Sequence, residues 1–181
     1  MKKIGLQASF LIFLLSFCLF SPKIYASTDN LTASSSSVPQ VNYELPYPGL
    51  LPDSPLYFLR IIRDKTVELL ISDPLKKSEF DLLQADKRLN AGIYLFNKGK
   101  ISLALTTISK AENYFDQAIG KIGDAKTQGR GVSDMEGRLK NALRKHEQEL
   151  QILAEKSTGN FKTSFEKELK RVTNFAERLN Q

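Results

Sequence analysis

Residues 101–122 read ISLALTTISKAENYFDQAIGKI, and their spacing decides the fold class. Ile101, Ala104, Ile108, Ala111, Phe115, Ala118 and Ile122 recur at intervals of three and four, which sets them in one row along an α-helix. A helix with one apolar row is stable only when that row is covered, so the flanking chain must supply more helices. Upstream, Leu75, Leu82, Leu89 and Phe96 form a second row with Ile93 filling between. Asp73 caps its start, Pro74 takes the first helical position and Gly99 closes it. Downstream, Met135, Leu139, Ala142, His146, Leu150 and Leu153 make a third row, opened by Ser133 and Glu136 at capping-box spacing. Phe165, Leu169, Val172, Phe175 and Leu179 make a fourth, opened by Thr163 with Glu166. A further helix precedes them all, with Ser54 as cap, Pro55 at the first position, and Leu56, Leu59, Ile62 and Leu69 or Leu70 as its apolar face. No stretch alternates long enough to compete as a strand. The expectation is all-α: an antiparallel bundle of about five helices after a disordered linker.

The N-terminus reads as a secretory signal over residues 1–26. Lys2 and Lys3 supply the positive end, an apolar run extends from Ile4 to Phe20, and Ala26 offers a small residue before a polar stretch. The competing expectation is an uncleaved membrane anchor, although the run falls short of a full span and Pro22 follows it closely. Cys18, the one cysteine, follows Phe17 and not a small residue, so a lipid anchor is not expected. Removing residues 1–26 takes three lysines and no acid, which lowers the formal charge from +6 to +3. With that, the basic excess that would suggest nucleic acid is halved, and no disulfide is available to the remainder.

Residues 27–44 are rich in Ser and Thr and read as a flexible linker. The helical domain is expected over 45–181, led by a proline-rich strap, Leu45 to Pro52. Its apolar side chains lead to two readings, a strap packed along the helices or a docking edge for a partner. Tyr47, Leu50, Leu51, Tyr57 and Phe58 are the residues expected to meet that partner.

Signs of catalysis are few. His146 is the one histidine, Leu143 stands where a metal-binding Glu-x-x-His pair needs its acid, and His146-Glu147 lacks the second histidine of a metalloprotease helix. On its apolar row His146 reads as a partly buried packing residue. Ser164-Phe165-Glu166-Lys167 matches Ser-x-x-Lys, but the Ser-Asp-Asn and Lys-Thr-Gly companions of that chemistry do not occur. Gly129-Arg130-Gly131 reads as a turn, and Glu112 and Asp116 read as solvated surface acids. No enzyme, cofactor or metal is expected.

Gly92, Gly99, Ala104, Ile108 and Ala111 fall at the spacings of a tetratricopeptide repeat, in which small residues let two helices approach closely. No second copy follows, so one tight helical hairpin is expected. Two phrases, Gly49-Leu50-Leu51-Pro52-Asp53-Ser54-Pro55-Leu56-Tyr57-Phe58-Leu59-Arg60 and Asp73-Pro74-Leu75-Lys76-Lys77-Ser78-Glu79 with Ala85-Asp86-Lys87-Arg88-Leu89, resemble a bacterial family of exported or membrane-linked helical domains of unknown function. The likeness covers about residues 45–120, and Ser78 stands where alanine is the rule. It implies a helical extracytoplasmic module and brings no catalytic residues with it.

Together these readings lead to an exported, non-enzymatic module of the cell envelope that contacts another envelope protein and does not bind nucleic acid. The alternative is electrostatic contact with an anionic membrane surface or wall polymer through Arg60, Arg63, Lys65, Lys76 and Lys77.

Overall fold

The computed structural model describes residues 41–179. The expected signal segment, and all of the expected linker before residue 41, lie outside the described residues. Among the described residues five helices follow one another: α1 (Tyr57–Leu70), α2 (Pro74–Asn97), α3 (Ile101–Thr127), α4 (Ser133–Glu155) and α5 (Gly159–Leu179). The fold class is all-α, and among the described residues there is no strand.

Four of the helices make the bundle. Ser78 Oγ donates to the Ala118 carbonyl at 2.8 Å near one end of the α2–α3 pair, and Gly92 meets Ile108 near the other, so these two run antiparallel. Glu112 and Lys126 on α3 pair with His146 and Glu136 on α4, again antiparallel. Glu79 and Asp86 on α2 pair in the same order with Arg138 and His146, which makes α2 and α4 parallel. This is an up-down-up-down bundle, and the rows read from the sequence are its core. Leu82, Leu89, Ile108, Ala111, Phe115, Ala118, Leu139, Ala142, Leu150, Phe165, Val172 and Phe175 are all buried in one cluster. Phe115 stacks on Phe175, ring centroids 5.8 Å apart, and so joins α3 to α5.

The helix ends follow the sequence in part. Asp73 caps α2 by accepting from the Lys76 amide at 3.0 Å, with Pro74 next. Gly99, two residues past the end of α2, closes it: its φ of 74° lets the Gly99 amide reach the Phe96 carbonyl and the Lys100 amide reach that of Leu95. Three expected starts differ. α1 begins at Tyr57 because residues 51–57 form turns, in which Ser54 Oγ accepts only a 3.4 Å contact from the Leu56 amide. At α4 the capping residue is Val132, held in the core, while Glu136 turns to Lys126 at 2.7 Å in place of a capping box. α5 is under way from Gly159, so Thr163 is an interior residue.

The largest departure is α1. Its expected apolar face, Leu56, Leu59, Ile62, Leu69 and Leu70, points to solvent, and its buried residues are Arg60 and Asp64. The α1 backbone scarcely approaches any other helix.

The α2–α3 hairpin is as tight as the small-residue spacing implies. A Cβ added to Gly92 would lie 2.3 Å from Ile108 Cγ1, itself fully buried. Gly92→Ala is therefore expected to lower the unfolding free energy by about 1–3 kcal/mol. Gly137→Ala on α4, where the added carbon meets nothing within 4 Å, is expected to raise it by about 0.5–1 kcal/mol. Denaturant titration of the two variants checks both signs.

Candidate functional site

Three ionisable residues occupy positions where the apolar rows call for core side chains. Asp86 falls between Leu82 and Leu89, Glu112 between Ile108 and Phe115, and His146 between Ala142 and Leu150. They meet inside the bundle, Glu112 and His146 with no solvent access at all. This corrects the expectation of a solvated Glu112 and of a merely packed, partly buried His146. His146 Nδ1 lies 2.9 Å from Glu112 Oε1, and Nε2 lies 3.2 Å from Asp86 Oδ1. A neutral imidazole has one N–H, so only the imidazolium can donate to two ionised carboxylates. Burial pulls the His146 pKa down, but the Glu112 charge and the hydrogen bonds to Asp86 and Glu112 outweigh it and raise it from 6.5 to about 10. Tyr43 Oη donates to Asp86 Oδ2 at 2.6 Å, so the network also holds the strap. Burial, and then Asp86, push the Tyr43 phenol well above its usual range.

A second charged cluster fixes α1. Arg60 Nη1 donates to the carbonyls of Pro48 and Leu50, and Arg60 Nε lies 3.5 Å from Asp64 Oδ2. Arg63 Nη2 donates to Asp64 Oδ1 at 2.7 Å. From α2, Arg88 reaches Asp64 at 4.0 Å and stacks over the Tyr114 ring at 4.1 Å. α1 is thus tied to the bundle and strap by charged side chains. Half a turn away, Phe58, Leu59, Ile62, Thr66, Leu69 and Leu70 form an outward row. Leu69 is 84% and Leu70 76% exposed.

The expected partner-binding residues divide into two groups. Tyr47, 77% exposed, and Leu50 line a shallow cleft of about 360 Å3 beside α1, with Leu59, Arg63 and Lys87. Phe58, 54% exposed, joins the outward row of α1. Leu51 and Tyr57 are half-buried and outside the cleft lining, Tyr57 lying 5.9 Å from the Arg60 guanidinium. The strap carrying Tyr47 is held by side chains: Asn90 Nδ2 donates to the Pro46 carbonyl at 3.0 Å, and Lys100 pairs with Asp53 at 2.8 Å. Sequence reasoning missed Leu69 and Leu70 as surface residues, because periodicity identifies a face without saying which way it turns.

A family model, domain of unknown function (DUF5667), matches residues 49–160. The chain belongs to this family. No curated protein and no solved structure matches it. The DUF5667 stretch contains α1 to α4, the cleft edge from Gly49, and the Asp86–Glu112–His146 network. It continues past the residues that carried the resemblance in sequence, and all but the first two residues of α5 follow it.

The raised His146 pKa has a sign that can be checked. Its stabilising contribution is complete below about 6.5 and is lost as pH rises through about 10, since the unfolded chain sheds that proton first. Wild-type unfolding free energy is expected to decline over this window. His146→Gln is expected to cost about 3–5 kcal/mol by leaving the buried carboxylates uncompensated, and to flatten the profile. A wild-type profile that is level or rises between those values would refute the assignment.

Proposed function

We propose that the chain is an exported, non-enzymatic helical module of the cell envelope that docks a partner through the outward face of α1 and the adjoining strap. The observation that carries the reading is the inversion of α1, with Arg60 and Asp64 inside and Leu69 and Leu70 outside. Monomeric proteins seldom expose a contiguous apolar patch beyond roughly 300–600 Å2, and five large apolar side chains on four turns of helix reach that scale. The N-terminal run Lys2 to Ala26 supports export.

The chemistry of the interior supports the non-enzymatic part. His146, the side chain best suited to proton transfer, is sealed from solvent with both ring nitrogens engaged. The cleft beside the strap brings cations and apolar groups together, without a nucleophile and base in contact. A purely electrostatic surface through Arg60, Arg63, Lys65, Lys76 and Lys77 has less support, since Arg60 is spent inside on the strap carbonyls and Asp64.

A photo-crosslinking diazirine residue placed at Leu69 or Phe58 tests the reading in intact cells. Both positions are expected to give adducts, to protein or lipid, well above those from Lys162, an exposed position on α5. Equal background yield at all three would show that the α1 face meets only water.

A further inference from the structure

We infer that the occupant of the α1 face is a lipid bilayer surface bearing anionic headgroups, a proposal that rests on the docking reading above and names its partner. The outward row offers a partner nothing directional. Phe58, Leu59, Ile62, Leu69 and Leu70 carry no polar side-chain atom, and the one hydroxyl in the row, Thr66 Oγ1, donates back to the Ile62 carbonyl at 2.9 Å. Protein interfaces carry about one hydrogen bond per 100–200 Å2 and rely on anchors seated in pockets. A face that recognises only by being apolar fits acyl chains.

The edges of the row carry the second observation. Along a helix of 3.6 residues per turn, Lys65 falls at one margin of the row and Arg63 at the other. Both side chains are 65% exposed, with Lys65 paired to Glu68 at 2.9 Å and Arg63 to Asp64 at 2.7 Å, so each cation keeps its outer face to solvent while its carboxylate lies toward the protein. An apolar row with a cation along each margin, and the exposed Ile61 and Val67 just beyond them, is the pattern of a helix lying in a membrane interface, its apolar face sunk ~5–10 Å and its cations at headgroup level. On the Arg63 margin lies the cleft of about 360 Å3, where Arg63 and Lys87 face Tyr47. That places two cations and an interfacial aromatic where a headgroup phosphate would sit.

The same edges disfavour a second copy of the chain. Antiparallel pairing of two α1 helices sets like margins together, so Arg63 would confront the partner's Arg63 and Lys65 the partner's Lys65. Parallel pairing sets Arg63 against the partner's Lys65. Either register brings the margin cations together, a repulsion that Glu68 beside Lys65 relieves only in part and that an anionic surface turns into attraction.

The chain contains no tryptophan, so a single introduced indole reports on its own position. Full-length Leu69→Trp and Phe58→Trp proteins are mixed with vesicles of phosphatidylcholine alone, or with about one third phosphatidylglycerol. A Phe161→Trp protein on α5 serves as control, and because the readout is local, insertion of the N-terminal run does not imitate it. On anionic vesicles the two α1 indoles are expected to shift to the blue and to be quenched by brominated acyl chains, while the control is not. Arg63→Gln with Lys65→Gln should weaken the vesicle affinity roughly ten-fold, and rising salt should weaken it further.

An unshifted, unquenched indole at both α1 positions overturns the lipid proposal. If sedimentation velocity then shows self-association abolished by Leu69→Ser with Leu70→Ser, the occupant is a second copy and the docking reading stands. Photo-crosslinking from Leu69 to a different protein would likewise remove the lipid and keep the docking face. Silence in all three assays removes both.

Discussion

Asp86 on α2 and Glu112 on α3 are both buried, and His146 on α4 is the one side chain that reaches both, one with each ring nitrogen. The three side chains come from three helices, so the contact is also a register lock. Sliding α4 by one turn would withdraw the imidazole from both carboxyl groups and leave each buried without the partner they share. A well-packed apolar substitute could hold these helices together at equal or lower free energy. What the charged trio adds is discrimination, since the apolar rows alone, all spaced by three and four, would tolerate neighbouring registers. Tyr43 extends the lock beyond the helices by fixing the strap to Asp86.

How much of this the sequence discloses depends on the kind of information involved. The rows of α2 to α5 are legible because each is long, uninterrupted and covered by the others, so the pattern and the packing agree. Asp73-Pro74 and Gly99 are legible because capping is local chemistry. The capping-box spacings at Ser133 and Thr163 misled, since tertiary contacts (Val132 in the core, Glu136 with Lys126) decided where α4 begins. Glu112 left a usable signal: it stands four residues after Ile108 and three before Phe115, squarely on the row. Asp86 stands likewise between Leu82 and Leu89. An acid at a core position on each of two helices, and one histidine at a core position on a third, together form a readable motif. Each of these residues taken alone reads as an ordinary surface charge or packing group.

The orientation of α1 was not legible for a different reason. Its sequence carries two rows of equal regularity, Phe58, Leu59, Ile62, Leu69 and Leu70 on one side and Arg60, Asp64 and Glu68 on the other. Periodicity establishes that the rows are opposed. Which of them turns inward is set by the surface beneath, and there α2 presents Gln84 and Arg88 while the strap presents the carbonyls of Pro48 and Leu50. Those acceptors and charges sit in the chain before and after α1, and only the fold brings them under it.

Rotating α1 by half a turn shows why the inversion persists. The apolar row would then cover the two strap carbonyls without supplying donors, and Arg88 would keep Gln84 and Tyr114 but lose the Asp64 charge. An unsatisfied buried polar group costs about 1–3 kcal/mol, so the two carbonyl losses, with the lost Asp64–Arg88 attraction, would offset a good part of what burial of a few leucines returns at about 1.5–3 kcal/mol each. Keeping Arg60 and Asp64 inside gives both carbonyls a donor, sets a carboxylate 4.0 Å from Arg88 and leaves the apolar row unspent. The exposed face is therefore a consequence of how the strap and α2 are built. Burying it against the chain's own surface would mean replacing Arg88 and re-routing the strap as well as turning one helix. A surface that the fold cannot cover internally, held rigidly by charged contacts and bordered by cations, is one on which an external apolar phase can act with little reorganisation of the protein beneath it.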